Sequence, residues 1–326
     1  MPRVRVSHTT RYLYNQPVQL SQHRLMLRPQ DSHDLRLLEA TLSVDPPPQS
    51  SRWAHDVFGN SVCLLDWAPE ERTDRLEIVS RLDLIHFPAG PSLPRATLDP
   101  AAEVFPFTYP AEEVPDVSRL MERQTPDPEH LVDAWARRFI PLEGEARTLD
   151  VLAAMTQAIH QNFIYAARET EGTQLPAETL RTGAGTCRDF ALLMMEAARS
   201  LGCAARFVSG YLYDSDSIQT VGGGATHAWA SVYLPGAGWV EYDPTNGLVA
   251  GTNLIRVGVT RSPAQAMPVG GGFVGTAGDF HSLIVDVAVS VGDDPSPVGP
   301  EQDDGPAEPG DIPGPDIEQV APPGQA

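Results

Sequence analysis

Through its first 88 residues the chain offers no helical period. Arg3–Tyr14, Leu38–Pro46, Ser61–Pro69 and Leu76–Phe87 alternate apolar and polar residues, with the turn clusters DPPPQSS and FGNS between them. A period of two puts successive side chains on opposite faces of a half-buried strand. Such segments predict an antiparallel sheet or sandwich. Helical spacing begins later. Asp127–Ile140 places Leu131, Ala134, Trp135 and Ile140 near one face, and 148–165 spaces Leu149, Leu152, Met155, Ile159 and Phe163 by threes and fours. In the segment 187–201, Phe190, Leu193, Met194, Ala197 and Leu201 share a face, and Gly202 is a natural stop. Three strand signals follow, at Ala204–Tyr213, Thr226–Leu234 and Gly238–Thr245, the last two joined by Pro235–Gly238. Strands, then helices, then antiparallel strands is α+β segregation, not alternating βαβ.

The connections are legible from composition. Proline-rich residues 89–116 read as a linker packed across a surface, and Gly258–Gly272 reads as a loop. His281–Val291 is a last strand that could return to either sheet. Residues 292–326 carry nine acidic residues, nine prolines, no Lys or Arg and no aromatic. They cannot bury enough apolar surface to offset ordering, so a disordered, solubilising tail is expected. The net charge of −20 argues against nucleic acid or an anionic membrane as a partner. Three cysteines make no disulfide framework, and neither a signal-peptide h-region nor an 18-residue apolar run is present. A cytoplasmic protein with free thiols is expected.

The chemistry concentrates at Cys187. It follows Gly183-Ala184-Gly185-Thr186 and opens a helix that Thr186 can cap, with Asp189 as dipole support. First-turn N–H groups and the helix dipole stabilise a thiolate, lowering the thiol from its ordinary pKa of about 8.5. A buried, inert cysteine is an equally good reading of the helix start alone, and Cys63 and Cys203 fit it. A nucleophile needs a base, and the base an orienter. His227 begins a strand, and Asp243 ends the paired strand before Pro244, at the same end of the hairpin though out of direct register. Arg188 pairs locally or faces solvent, and Trp229 and Trp239 pack the hairpin. The two VGGG runs, 221–224 and 269–272, lack the Lys and Ser/Thr of a phosphate loop and read as mobile loops, the first as a lid over His227.

GTCRDFALLMMEAARSLGCAARFVSGYL, THAWASVYLPGAGWVEYDPTNG and their spacing closely resemble the bacterial transglutaminase-like family, strongly over about residues 150–250. The opening SHTTRYLYNQPVQLSQHRLMLRPQ, with Asp56–Asn60 (DVFGN), resembles the N-terminal β region that accompanies this domain in many bacterial members. The resemblance implies an α+β fold. Its core is papain-like, of the cysteine-proteinase (transglutaminase-like) type, with an N-terminal antiparallel β domain and a disordered acidic C-terminal tail. The corresponding boundaries are a β-rich domain over 1–100, a linker and helical segment over 101–147, a catalytic domain with its C-terminal return strand over 148–291, and the tail over 292–326.

By position the resemblance makes Cys187 the nucleophile, His227 the general base and acid, and Asp243 the orienter. It implies acyl transfer from an amide, such as a glutamine carboxamide of a peptide or protein. The acyl group passes to an amine (transamidation) or to water (deamidation or proteolysis). A peptidase or amidase is the alternative, as is a binding or scaffold module whose chemistry has lapsed, which the intact Cys, His and Asp disfavour. The Cys187 backbone N–H is one candidate oxyanion donor. Papain-type proteases keep a glutamine six residues before the cysteine, where Arg181 stands, so the second donor is unassigned. No cofactor or metal is expected: Asp214 and Asp216 are too sparse for a calcium site, and no CxxC or HExxH spacing suggests zinc. The oligomeric state is not legible.

Overall fold

The alternating N-terminal segments fold as β1 (Arg3–Leu20), β2 (His23–Arg28), β3 (Leu35–Asp45), β4 (Ser50–His55), β5 (Ser61–Asp66) and β6 (Thr73–His86). The computed structural model describes residues 2–88, 90, 92–166, 172–213 and 225–292. The expected tail lies outside these residues beyond Gly292, as do the 221–224 glycines and Asp214 and Asp216. The alternation becomes two antiparallel sheets. In one, β1 pairs with β6 and β6 with β3; in the other, β5 lies between β2 and β4. Tyr14, Val18, Leu25, Leu27, Cys63, Leu65, Leu76 and Ile78 from both sheets share one core, so the domain is a sandwich.

The linker holds helices α1 (Leu93–Thr97) and α2 (Val114–Met121), which its prolines hid from a periodicity reading. Proline suits the first helical turn, where its missing N–H has no intrahelical partner to lose. Helix α3 (Leu131–Arg137) follows. Two-residue strands β7 (Val104–Phe105) and β8 (Ala146–Arg147) pair across the segment. The core then runs through α4 (Thr148–Asn162), β9 (Ile164–Tyr165), α5 (Pro176–Thr182), β10 (Ala184–Gly185) and α6 (Cys187–Ser200). Next come β11 (Ala205–Leu212), β12 (His227–Leu234), β13 (Gly238–Asp243), β14 (Leu248–Val249) and β15 (Leu254–Thr260), a single sheet in the order β14-β13-β12-β11-β15. Helices α3, α4 and α6 cover one face of this sheet through a common core that includes Trp135, Met155, Phe190, Met194, Phe207 and Tyr242.

Three segments differ from the sequence expectation. Strand β15 begins before, and runs into, the segment read as a loop. Its Gly258 is there for contact: a Cβ would lie 2.0 Å from the Met26 sulfur. The second VGGG run is not a mobile loop throughout. Val269–Gly270 form β16 on β2, and β17 (Phe273–Val274) joins β1. The last strand, β18 (Phe280–Val291), pairs with β1 along nearly its whole length. The return strand therefore belongs with the N-terminal sandwich, and the segment 148–291 is not one continuous catalytic unit.

The sandwich and the core sheet share an apolar seam in which Val4, Val6, Leu82 and Leu84 meet Tyr211, Tyr213, Ile255 and Val257. Polar bonds fix its register. Asn60 donates Nδ2–H to the Val259 carbonyl (2.8 Å) and accepts the Val259 N–H (2.9 Å), as a neighbouring strand would. Asp56 holds Asn60 in place through its N–H and Nδ2, which gives the DVFGN motif a structural meaning. His8 meets the Tyr211 hydroxyl (2.9 Å) and His86 the Tyr213 hydroxyl (3.0 Å).

Burial lowers His8 and His86 to about 4 and also lowers His23. A depressed imidazole gains its proton on unfolding, so its stabilising contribution is complete above about pH 6.5 and shrinks as pH falls toward 4. The unfolding free energy read from guanidinium-chloride curves is expected to fall steadily from pH 6.5 to 4.5, by about 1.4 kcal/mol per unit for each fully titrating histidine. The His8→Gln/His86→Gln double variant should flatten that slope. A slope of wild-type steepness in the variant would assign the effect elsewhere.

Candidate active site

Cys187 is the first residue of α6, and the cap before it is built by Asp189. Asp189 is fully buried, and its Oδ2 accepts from both the N–H (2.8 Å) and the hydroxyl (2.9 Å) of Thr186. Its Oδ1 accepts the Gln174 N–H (2.6 Å), so one carboxylate ties the helix start to the preceding loop. The glycines before Cys187 serve the same joint. Gly183 ends α5 with φ +61°, and at Gly185 a Cβ would sit 2.9 Å from the Asp189 Cβ. Gly183 thus supplies the left-handed backbone that ends α5, and Gly185 leaves room for Asp189 and Phe190 to pack.

His227 and Asp243 are positioned by the hairpin. The register pairs Ala230 with Tyr242 and Leu234 with Gly238, which puts Asp243 beyond the last pair and diagonal to His227. Diagonal neighbours on one sheet face lie within reach of long side chains, so the residues meet despite their offset. His227 Nε2 bonds Asp243 Oδ2 at 2.8 Å, with both side chains fully buried. Asp243 is held in turn by the Asn246 side chain (2.8 Å) and the Thr245 N–H (3.0 Å). Trp229 stacks on the imidazole at 6.0 Å.

Burial alone would lower the His227 pKa; the Asp243 carboxylate, followed by Cys187, outweighs it and raises the imidazole. Burial likewise works to raise Asp243, but the His227 charge and the bonds to it, Asn246 and Thr245 hold it below the usual carboxylate range. The other ring nitrogen, Nδ1, is buried and makes no close bond in this resting geometry. The Cys187 thiol bears on the ring, and resting hydrogen bonds at such sites are often long. Cys187, Arg188, Thr186, Thr226, His227, Ala228 and Gly172 line a cavity of about 170 Å³. A larger one, about 800 Å³, opens among Leu131, Trp135, Phe139, Phe163 and Arg181, but it holds no nucleophile and lies apart from the Cys–His pair.

Arg188 lies over the Phe207 ring at 5.0 Å and donates to the Pro263 carbonyl at 2.7 Å, so it is a wall of the cavity. Arg181 is half-exposed and paired with Glu129 at 2.5 Å, on the larger cavity, and supplies no oxyanion donor. The nearby Gln174 spends its amide on Thr179 and the Ala184 carbonyl. All three thiols are buried, Cys187 at 7% exposure on the cavity wall; burial raises Cys63 and pushes Cys203 up to about 12. Among the described residues no group of three or more His, Cys, Asp or Glu could hold a metal ion, and no helix is long and apolar enough to cross a membrane. Sequence reading missed Tyr165, which approaches Cys187 from β9. Its one signal was an aromatic at the end of the second helical segment.

Two family models match the chain. Residues 4–84 match a bacterial transglutaminase-like N-terminal region, and residues 134–244 match the transglutaminase-like superfamily. An uncharacterized protein of Mycobacterium tuberculosis is 29% identical over 297 residues, 89% of this chain and 92% of its own. One from Mycobacterium leprae is 26% identical over 88% of this chain and 99% of its own. A solved structure described as a candidate cysteine protease from Cytophaga hutchinsonii shares the fold, with a TM-score of 0.63 at 18% identity over 88% of this chain and 91% of that one.

Proposed function

Taking as its premise that the chain belongs to the transglutaminase-like family, we propose that it catalyses cysteine-dependent acyl transfer at amide bonds through Cys187, His227 and Asp243. The observation that carries this reading is the buried His227–Asp243 pair, with its second ring nitrogen unspent, beside a cysteine at a capped helix start. Cys187 gives its proton to His227, and the sulfur attacks the carbonyl carbon of a carboxamide. His227 returns the proton to the leaving nitrogen, and an acyl-enzyme remains. Asp243 fixes the ring through Nε2, which leaves Nδ1 for the sulfur. An amine or water then takes the acyl group. The glutamine carboxamide of a peptide or protein is the substrate class we favour, with hydrolysis of a peptide-like amide as the second outcome.

Iodoacetamide tests the first step. Cys187 is expected to alkylate at least about tenfold faster than Cys63 or Cys203 in the folded protein, because thiolate character and access set the rate. Peptide mapping by mass spectrometry reads the three sites separately. Equal, slow labelling of all three would leave a binding module as the better account.

A further inference from the structure

The backbone N–H of Cys187 is one candidate oxyanion donor, and Arg181 pairs with Glu129 instead, so the second is unassigned. Strand β9 supplies a candidate. Ile164 N–H donates to the Gly183 carbonyl (2.8 Å) and Ala166 N–H to the Gly185 carbonyl (2.9 Å). This parallel pairing sets Tyr165 opposite Gly185, two residues before Cys187. The Tyr165 ring meets Phe190 edge-on at 6.5 Å. Phe190 lies three residues after Cys187 in α6, and residues at that spacing share a helix face. The phenol therefore lies beside the start of α6, close enough to the Cys187 sulfur for that sulfur to bear on it. No hydrogen bond given among the described residues takes up this hydroxyl, and Tyr165 is 41% exposed, within reach of a substrate.

We propose, on the acyl-transfer reading above, that Tyr165 is the second oxyanion donor of the site. As the carbon–sulfur bond forms, the carbonyl π pair moves onto oxygen, and that oxygen is one carbon away from the sulfur. The Tyr165 O–H turns from sulfur to this oxygen and keeps its proton. When the carbonyl re-forms, the carbon–nitrogen bond breaks, the nitrogen takes its proton from His227, and the phenol swings back. The role requires a hydroxyl that stays protonated. Burial, then the neighbouring sulfur, pushes this phenol up to about 12.

Two reactions of the same sulfur separate this role from a structural one. Acylation by p-nitrophenyl acetate passes through an oxyanion; alkylation by iodoacetamide does not. Tyr165→Phe keeps the ring on Phe190 and removes only the hydroxyl. The acylation kcat is expected to fall about 10²- to 10³-fold with KM within about twofold, the loss typical of one oxyanion donor. Cys187 alkylation should change less than about threefold. An undiminished acylation burst in the variant overturns the assignment alone. Equal losses in both reactions also overturn it, making Tyr165 a positioner of the sulfur. A wild-type protein with no burst overturns the acyl-transfer reading and the assignment with it.

Discussion

Replacing Cys187 by alanine is expected to reduce acyl transfer by more than about 10³-fold while the protein stays folded. Loss of the nucleophile leaves only binding and oxyanion donors to assist the reaction, so nearly all rate enhancement goes with it. The fold has little stake in the sulfur. The start of α6 is held by Asp189 and Thr186, whose bonds do not involve the Cys187 side chain. The space vacated merges with a cavity that already exists, so no new enclosed void forms. The destabilisation should stay under about 1 kcal/mol, well below the cost of a large core truncation. A p-nitrophenyl acetate burst and a denaturation curve on the same sample check both parts. A burst that survives the substitution would remove Cys187 from the mechanism, and an unfolded variant would show that the cap depends on it.

The largest effect on stability is expected one helix face away, at Glu196. Its side chain and that of Arg199 are fully buried, joined at 2.8 Å. The carboxylate also receives Arg123 (3.2 Å), the N–H groups of Gln124 (3.0 Å) and Thr125 (3.1 Å), and the Thr125 hydroxyl (2.9 Å). Arg199 in turn donates to the Leu120, Ala205 and Arg261 carbonyls. One buried ion pair thus joins α6 to the segment after α2, to β11 and to the exit of β15. Glu196→Ala strands Arg199 without its counter-charge and should cost about 3–5 kcal/mol. Glu196→Gln keeps an acceptor oxygen and should cost less. Urea unfolding of both variants reads the difference from the midpoint at a constant slope. A loss below about 1 kcal/mol for the alanine variant would mean that water or a shifted side chain replaces the carboxylate.

The legible parts of the site are those whose signal is local. The place of Cys187 at the first turn of α6 was readable because a capped helix start announces itself in four or five residues, and the strands around His227 and Asp243 because a hairpin turn sets their relative position. Even the apparent mismatch of register resolved into a diagonal contact. Tyr165 carries no such signal. Its place beside the sulfur comes from a two-residue parallel bridge between segments twenty residues apart, and nothing in IYAA specifies a partner. Strand β15 was hidden for a different reason. Gly258 reads as the start of a loop, whereas it lies within a strand, packed closely on the Met26 side chain. Glu196 and Arg199 look like ordinary exposed residues of an amphipathic helix until the segment at 120–125 covers them.

The pairing of β18 with β1 has a consequence for how the chain is made. Val4 lies against Val291, and the Gly292 N–H bonds the Arg3 carbonyl. The sandwich is thus discontinuous, and the whole core with Cys187, His227 and Asp243 is an insertion between its strands. During synthesis β1 can pair with β6 early, but its other edge stays open until almost 290 residues have been translated. An open strand edge is a template for mispairing, and contacts this distant in sequence form slowly. The nascent chain therefore spends a long interval with β1 uncovered, and that interval ends only when residues 280–291 leave the ribosome. A copy cut short before residue 280 can hold Cys187, His227 and Asp243 and still carry an uncapped sheet.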